Sequence, residues 1–350
     1  MDILVIVFVL IIFVGIKPTK YNSDFLGRDT TTAIKGIFAI IILFSHTRQY
    51  LSPMLPISIS TNGYNFFFNK ALDFLGQLMV VMFLLYSGYG IVESYKKKKQ
   101  AYTKGFLKKR VLKTLIHFDL AVLLFVLVAL LLGHKYSYEE YILSFTGWLS
   151  VGNSNWFVFD IIILYLLSFG GLLIVEEFHY DLKKYLWIVC FLTFIFALVL
   201  YKLKATYWWD TLLAYPTGML WSVYKEELIK FFSEKKRYYS VLAIMFIIFL
   251  VLYKVGNLVS SGLALFTSAI FGIIIVMITI KFRIGNQVLY WLGINAFSIY
   301  ILQRIPMIIF SEYGFNENHL LFASIVFPLV LILAWTFTKL TNLIDRKFFK

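Results

Sequence analysis

The chain has 350 residues, of which 60% are hydrophobic and 19% aromatic, and its mean hydropathy is +0.80. Soluble domains contain about 45–50% apolar residues, so this composition excludes a soluble protein and indicates an integral membrane protein. The single cysteine, Cys190, excludes a disulfide framework. The five histidines show no spacing with Cys, Asp or Glu that is typical of a metal site, so none is predicted.

Hydropathy predicts eleven membrane-spanning helices in one helical domain. Their predicted bounds are 2–16, 33–50, 71–92, 111–132, 156–175, 185–201, 207–224, 239–254, 258–280, 288–310 and 320–338. The first is short for a bilayer core of about 30 Å, and no basic n-region or cleavage site marks it as a signal peptide. The predicted fold is an all-α polytopic membrane protein, with about 10–11 transmembrane helices around a central polar cavity.

Three regions follow from these spans. We interpret residues 1–28 as an extra N-terminal transmembrane helix with its linker. Residues 29–342 form the main membrane domain, and residues 343–350 form a basic tail on the cytoplasmic side. The sequence shows no Gly/Ser linker, no low-complexity tract and no convincing internal repeat.

The distribution of basic residues predicts the topology. If the N-terminus lies outside, six segments lie inside and carry 26 of the 33 lysines and arginines. These segments are 17–35, 93–113, 176–184, 225–237, 281–287 and the chain from 339. Such a bias follows the positive-inside rule. The net charge of +14 therefore requires no nucleic-acid partner.

Lys35 and His46 form an isolated polar pair in the apolar second span. Eleven residues of helix correspond to about 16 Å and almost three turns, so both side chains project from roughly the same face. A histidine inside a membrane segment indicates a functional site by default, and histidine is the most usual general base. Two structural alternatives stay open. His46 could hydrogen-bond a neighbouring helix, and Lys35 could reach the interface by snorkelling.

Polar residues in and around the third span have two interpretations each. Ser87 and Tyr89, in the segment SGYG, serve either close helix packing or the approach of a phosphate-bearing ligand. A Ser–His protease dyad is disfavoured, because Ser87 lies toward the inside and His46 toward the outside. Arg48 is either an interfacial anchor or an anion contact on the outer side. Asp73 is expected either to cap a helix or to orient the imidazole.

The fourth span begins at the inside with the basic sequence FLKKRVLK. Lys109 and Arg110 would face the phosphates of the inner leaflet or a soluble anionic ligand. Arginine binds phosphate bidentately through its planar guanidinium. Topology alone explains Arg110 less well than the other basic residues, because it enters a helix.

Later spans bring polar groups to the outer side. Asn155 and Trp156 lie at the outer interface where the fifth span begins, a position at which tryptophan is common. Gln303 and Arg304 lie in the tenth span at a depth similar to that of His46. These residues could line the same cavity as the imidazole.

Four elements, taken together, resemble the acyltransferase-3 family of bacterial integral membrane acyltransferases over about residues 29–340. They are Lys35…His46, MFLLYSGYG at 82–90, FLKKRVLK at 106–113 and LGINAFSIYILQ at 292–303. In the first of these elements, Lys35 occupies a position at which many family members carry arginine. In the last, Gln303 occupies a position at which many carry histidine. Each element is weak alone, but their order and depth agree with the family.

The resemblance implies an O-acyltransferase that takes an acyl group, usually acetyl, from cytoplasmic acyl-CoA. The acceptor would be a hydroxyl of a cell-surface or lipid-linked glycan. Acetyl-CoA is then a donor substrate, and no bound cofactor is expected. The expected partners are the glycan and the lipid bilayer, and a homo-oligomer stays open. The expected location is the bacterial plasma membrane, with the N-terminus outside and the C-terminus cytoplasmic.

The resemblance also suggests roles for individual residues. His46 would deprotonate the acceptor hydroxyl, or would carry the acyl group as acyl-histidine. The residues expected to bind acyl-CoA are Lys35, Ser87, Tyr89, Lys109 and Arg110. The residues expected to hold the acceptor, stabilise the oxyanion or orient the base are Arg48, Asp73, Asn155, Trp156, Gln303 and Arg304, with Tyr89 a further oxyanion candidate.

Two other functions stay open. A transporter or flippase of a lipid-linked saccharide would also have many spans and a basic cavity. The sequence lacks the inverted repeat and the matched pair of Gly/Pro-broken helices that usually indicate one. The second alternative is a non-catalytic sensor or partner subunit with an acyltransferase-like domain. It stays open because Gln303 stands where many family members carry histidine.

Overall fold

The computed structural model describes residues 1–51, 66–258 and 262–349, and it is 82% helical. The helices are α1 (Asp2–Val14), α2 (Arg28–Tyr50), α3 (Phe66–Leu75), α4 (Val81–Lys98), α5 (Gln100–Phe106), α6 (Lys113–Leu131), α7 (Tyr138–Ser144), α8 (Trp156–Glu177), α9 (Leu182–Leu203), α10 (Ala214–Val223), α11 (Lys225–Phe232), α12 (Lys235–Leu258), α13 (Leu263–Lys281), α14 (Gln287–Ile294), α15 (Ala296–Leu302), α16 (Arg304–Glu312) and α17 (His319–Phe348). Two short strands, β1 (Ile16–Pro18) and β2 (Phe282–Ile284), pair antiparallel and join the end of α1 to the segment after α13.

Eight helical stretches within the described residues are long and apolar enough to cross a membrane. They are Arg28–Tyr50, Phe68–Lys98, Gln100–Leu131, Trp156–Glu177, Leu182–Leu203, Lys235–Gly256, Leu263–Lys281 and His319–Phe348. One further pair of helical segments is bent by 57°, and it forms a ninth membrane-spanning stretch if it is one span: Gln287–Ile294 and Ala296–Glu312. The prediction of an all-α polytopic membrane protein is confirmed.

Two of the eleven predicted spans form helices too short to cross a bilayer. Helix α1 has 13 residues, which is about 20 Å against a core of about 30 Å. Helix α10 has 10 residues, and the residues before it, 209–213, form turns. Pro216 is the third residue of α10, in the first turn, where proline is tolerated because no N–H hydrogen bond is needed. In a helix from 207 to 224 it would remove an interior hydrogen bond, which favours the observed start of α10 just before it.

The segments predicted to lie inside meet at one end of the bundle, which we call the basic end. Hydrogen bonds and an ion pair join them. These contacts are Lys281–Lys20 (2.8 Å), Thr103–Glu176 (2.7 Å), Ser222–Glu93 (2.6 Å) and Lys113–Asp345 (2.6 Å). Because α17 continues to Phe348, most of the predicted tail 343–350 belongs to this helix. We call the opposite end the His46 end.

Helix α2 contacts α14 through backbone rather than side chains. A Cβ atom on Gly36 would lie 2.2 Å from the carbonyl oxygen of Leu289, and one on Gly293 would lie 1.8 Å from that of Thr32. Only glycine allows this approach, as in other membrane helix pairs with small residues at the interface. The contact fixes α2, the helix that carries Lys35.

A second close crossing joins α4 to α10. A Cβ atom on Gly218 would lie 1.8 Å from the carbonyl oxygen of Leu85, and one on Gly88 would lie 2.1 Å from that of Tyr215. Gly88 belongs to the SGYG segment. Close helix packing therefore explains why this position of the segment is a glycine.

We predict that Gly293→Ala lowers the midpoint of thermal unfolding in detergent. The added methyl group must displace the backbone at Thr32, and overpacking of this kind costs about 1–3 kcal/mol. Gly170→Ala in α8 is the matched control, because a Cβ there meets no atom within 4 Å. Equal midpoints for the two variants would contradict the described crossing.

Candidate active site

Two polar cavities lie along α2, one toward each end of the bundle. The His46 cavity, of about 390 Å³, is lined by Ile42, Ser45, His46, Gln49, Gly76, Gln77, Met79, Val80, Ser150, Asn153, Ser154, Asn155, Trp156, Tyr207, Tyr300 and Arg304. The Lys35 cavity, of about 320 Å³, is lined by Lys35, Phe83, Tyr86, Ser87, Arg110, Thr114, Phe157, Ile161, Tyr165, Gly293, Ile294, Ala296 and Phe297. No residue lines both cavities, so the polar interior along α2 has two compartments.

His46 lies in the last part of α2 and faces the His46 cavity. The side chains of Gln303 and Arg304 interact with its imidazole, and the ring centroid of Tyr300 lies 6.3 Å away. Its Nδ1 atom is buried and has no hydrogen-bond partner among the described residues. A histidine with an unsatisfied ring nitrogen beside a cavity is in position to act on a bound hydroxyl group.

Arg304 brings a positive charge to the same cavity. Its Nη2 atom donates a hydrogen bond to Oε1 of Gln49 (2.7 Å), and its guanidinium lies 6.0 Å from the ring centroid of Tyr50. Within the described ranges it forms no ion pair with a carboxylate. The structure therefore places Gln303 and Arg304 beside His46. Arg304 lines the His46 cavity, whereas Gln303 is fully buried and lines neither cavity.

The loop before α8 forms a polar wall of the His46 cavity. The Nδ2 atom of Asn155 donates to the carbonyl oxygens of Gly147 (2.8 Å) and Leu149 (3.1 Å), so this side chain holds the loop in place. The Nδ2 atom of Asn153 and the Oγ atom of Ser154 are buried without a partner in the described structure. Sequence reasoning missed these two residues, although the polar run GNSN before an apolar span was the available signal.

The Lys35 cavity contains three predicted residues: Lys35, Ser87 and Arg110. Ser87 donates its hydroxyl proton to the carbonyl oxygen of Phe83 (2.8 Å). Arg110 lies in a single turn of π-helix, Leu107–Leu112, and its Nε atom donates to the hydroxyl of Tyr102 (3.1 Å). π-Helical turns inside α-helices occur frequently at functional sites.

The positive charges of Lys35 and Arg110 are not neutralised by protein carboxylates. Neither forms an ion pair with an Asp or Glu in the part of the chain that the structure describes. The two charges repel each other. Burying unpaired charge is costly, so this cavity is suited to an anionic ligand.

Four predicted site residues lie away from both cavities. The hydroxyl of Tyr89 accepts a hydrogen bond from Nζ of Lys225 (2.9 Å), and Lys109 is exposed on the surface. Nη1 of Arg48 pairs with Oδ1 of Asp73 (2.6 Å) on an exposed surface. Asp73 lies in the interior of α3. It is therefore neither a helix N-cap nor a partner of the imidazole, and both expectations for it were wrong.

Aromatic side chains separate the two cavities. Phe157 packs edge to face against Tyr300 (5.3 Å between ring centroids) and against Phe83 (6.1 Å). Phe83 and Phe157 line the Lys35 cavity, whereas Tyr300 lines the His46 cavity. We call these three residues the aromatic wall. A group that passes from one cavity to the other must move past it.

The fold and the two cavities define a multi-pass helical membrane protein with a cavity lined by two unpaired cations toward one end and a buried histidine toward the other. No group of three or more His, Cys, Asp or Glu in the described ranges could hold a metal ion. The model of the acyltransferase-3 family, described as an acyltransferase domain, matches residues 32–339. The chain belongs to this family and is a membrane acyltransferase. None of the curated proteins and none of the solved structures matches it.

We predict that the aromatic wall blocks small polar reagents. Cys190 is the only cysteine, so Cys190→Ala gives a cysteine-free background. In sealed vesicles, Ser87→Cys in this background should react with a membrane-impermeant maleimide added at the basic end but not at the His46 end. Ser45→Cys, in the His46 cavity, should show the reverse pattern.

Adding Phe157→Ala to the Ser87→Cys protein should open a path, so that reagent from either side reacts. Equal labelling from both sides with Phe157 intact would show that the two cavities are continuous.

Proposed function

We propose that this protein transfers an acetyl group from acetyl-CoA to a hydroxyl group of a cell-surface or lipid-linked glycan. The observation that carries this proposal is the arrangement on α2. It places Lys35, beside a cavity with unpaired cations, and His46, beside a second cavity, about 16 Å apart along the helix. Acyl-CoA would enter from the basic end, and the glycan would enter from the His46 end.

The Lys35 cavity suits the donor. Coenzyme A carries several phosphate charges, and Lys35 and Arg110 offer cations without carboxylate partners. An arginine–phosphate pair is bidentate and charge-assisted, which makes it stronger than a neutral hydrogen bond. Ser87 adds a hydroxyl oxygen to the same cavity.

The His46 cavity suits a hydroxyl-rich acceptor. Asn153 and Ser154 present buried polar atoms without protein partners, and Trp156 and Tyr207 add aromatic surface. Unsatisfied buried polar groups are costly unless a ligand or water completes them. A saccharide offers both hydroxyl groups for the polar atoms and apolar ring faces for the aromatic ones.

The distribution of charge supports the proposed sidedness. Most lysines and arginines lie in segments that meet at the basic end, and cytoplasmic loops carry the excess of such residues. We place the basic end in the cytoplasm of a bacterium, where acyl-CoA is made. The N-terminus and the acceptor then lie outside, and the C-terminus is cytoplasmic.

The reaction needs one proton transfer in each direction. His46 takes the proton of the acceptor hydroxyl, whose oxygen attacks the thioester carbonyl carbon. The new carbon–oxygen bond forms, the carbon–sulfur bond breaks, and the protonated imidazole returns the proton to the departing thiolate. In the two-step variant the imidazole nitrogen attacks first and CoA leaves as its thiol. The acceptor hydroxyl then displaces the imidazole from the acyl group.

We predict that His46→Ala lowers transfer of label from radiolabelled acetyl-CoA to envelope glycan by at least about 10²-fold, the usual contribution of a positioned base. His134→Ala is the matched control at the same end, because His134 pairs with Glu312 on the surface. Membranes should contain equal amounts of each protein. Retention of most activity by His46→Ala would contradict the proposed role.

We predict that Lys35→Gln and Arg110→Gln each raise KM for acetyl-CoA about 10-fold or more, because each removes a charge-assisted contact to phosphate. The control is Lys108→Gln, an exposed lysine in the same π-helical turn as Arg110. Initial rates at several acetyl-CoA concentrations give KM and kcat separately. A lower kcat with unchanged KM in both variants would place the donor phosphates elsewhere.

A further inference from the structure

We propose that the start of α8 and the hydroxyl of Tyr300 form the oxyanion site of this acyl transfer, facing His46 across the His46 cavity. This inference rests on the proposed function, because an oxyanion develops only when a thioester or acyl-histidine carbonyl is attacked. It assigns a catalytic role to Tyr300, a residue that the sequence did not single out.

The N-terminus of α8 opens into the His46 cavity. Ser154, Asn155 and Trp156, which end the preceding loop and begin the helix, all line this cavity. Asn155 occupies the N-cap position but makes no side-chain cap, because its amide group holds the loop carbonyls instead. The first turn contains no acidic residue. The N–H of Val158 already bonds the carbonyl oxygen of Asn155 (2.9 Å), so the N–H groups of Trp156 and Phe157 are the ones without an intrahelical acceptor. They lie at the positive end of the dipole of this 22-residue helix, which begins at the cavity.

Tyr300 provides an independent indication of a ligand at the same place. The residue is only 5% exposed, lines the His46 cavity, and its hydroxyl proton has no acceptor among the described residues. The hydroxyl oxygen interacts with the backbone N–H of Phe157, the second residue of α8. A buried hydroxyl without an acceptor costs stability, and an oxygen of a bound substrate would remove that cost.

His46 and Tyr300 can contact the same reacting group. The ring centroids of His46 and Tyr300 are 6.3 Å apart, so the two side chains are neighbours, and a carbonyl bound in the cavity that both line can contact both. Arg304 and Asp160 are the ionisable side chains whose charges act on the Tyr300 hydroxyl. The guanidinium of Arg304 favours negative charge at this place. Asp160 has no partner for either carboxyl oxygen in the described structure.

The site acts during attack on the carbonyl carbon. As the nucleophile forms its bond, the electron pair of the carbon–oxygen double bond moves onto oxygen. The Tyr300 hydroxyl and the first N–H groups of α8 donate hydrogen bonds to that oxygen. When the carbonyl re-forms, the carbon–sulfur bond breaks and the thiolate accepts the proton held by His46.

The first test is Tyr300→Phe, which removes the hydroxyl and keeps the ring that packs against Phe157. We expect kcat for acetyl transfer to fall about 10²-fold while KM for acetyl-CoA changes by less than about 2-fold, since the contact forms only in the transition state. Tyr253→Phe is the control, because its hydroxyl bonds the Asp73 carbonyl oxygen outside both cavities. An unchanged kcat in Tyr300→Phe would overturn the proposal.

A binding measurement separates this proposal from the proposed function. The probes are two CoA analogues in which a methyl ketone or a trifluoromethyl ketone replaces the thioester. The second forms a tetrahedral hydrate. Wild-type protein should bind the trifluoromethyl ketone at least about 10-fold more tightly, and Tyr300→Phe should lose that difference. If the difference persists in the variant, or is absent from the wild type, Tyr300 is not an oxyanion donor. Absence of acetyl transfer by wild-type protein would instead refute the proposed function.

Discussion

One helix fixes the distance between Lys35 and His46. Helix α2 carries Lys35 in its first half and His46 near its end, and its rise of 1.5 Å per residue sets their backbones about 16 Å apart. Backbone contact at Gly36 and Gly293 holds α2 against α14. The two cavities, the aromatic wall and the loop before α8 are arranged around this helix.

The interior of the bundle contains more unsatisfied polar groups than stability alone would favour. Nδ1 of His46, the hydroxyl of Tyr300, Oγ of Ser154 and Nδ2 of Asn153 all lack partners in the described structure. Each such group costs about 1–3 kcal/mol when buried. Of the fifteen buried side-chain atoms without a partner in the described structure, these four and Nε of Arg304 belong to residues that line the His46 cavity. A polar substrate in this cavity could complete their hydrogen bonds. The aromatic wall has the opposite chemistry and separates this cavity from the cationic one.

Lys35 and His46 stand out in the sequence as polar residues in an apolar stretch, and Arg110 ends a basic run that enters a helix. The helical membrane fold could be predicted from hydropathy, and the family from the order of four sequence elements. Arg48 could not be placed, because a side chain two residues beyond His46 points about 200° away around the helix. Tyr300 resembles any buried aromatic residue until its unpaired hydroxyl is seen beside α8. Average hydropathy could not show that α10 is short, because the leucines and tryptophan around Asp210 and Thr211 in the turn before it keep the average apolar.

The central claim is that the donor and the acceptor approach from opposite ends of the bundle. The most direct test uses purified protein in sealed proteoliposomes of known orientation, with a saccharide acceptor on one side and labelled acetyl-CoA on the other. The account predicts labelled saccharide only when acetyl-CoA is supplied at the basic end and the acceptor at the His46 end. Equal labelling with both substrates at the His46 end would contradict it.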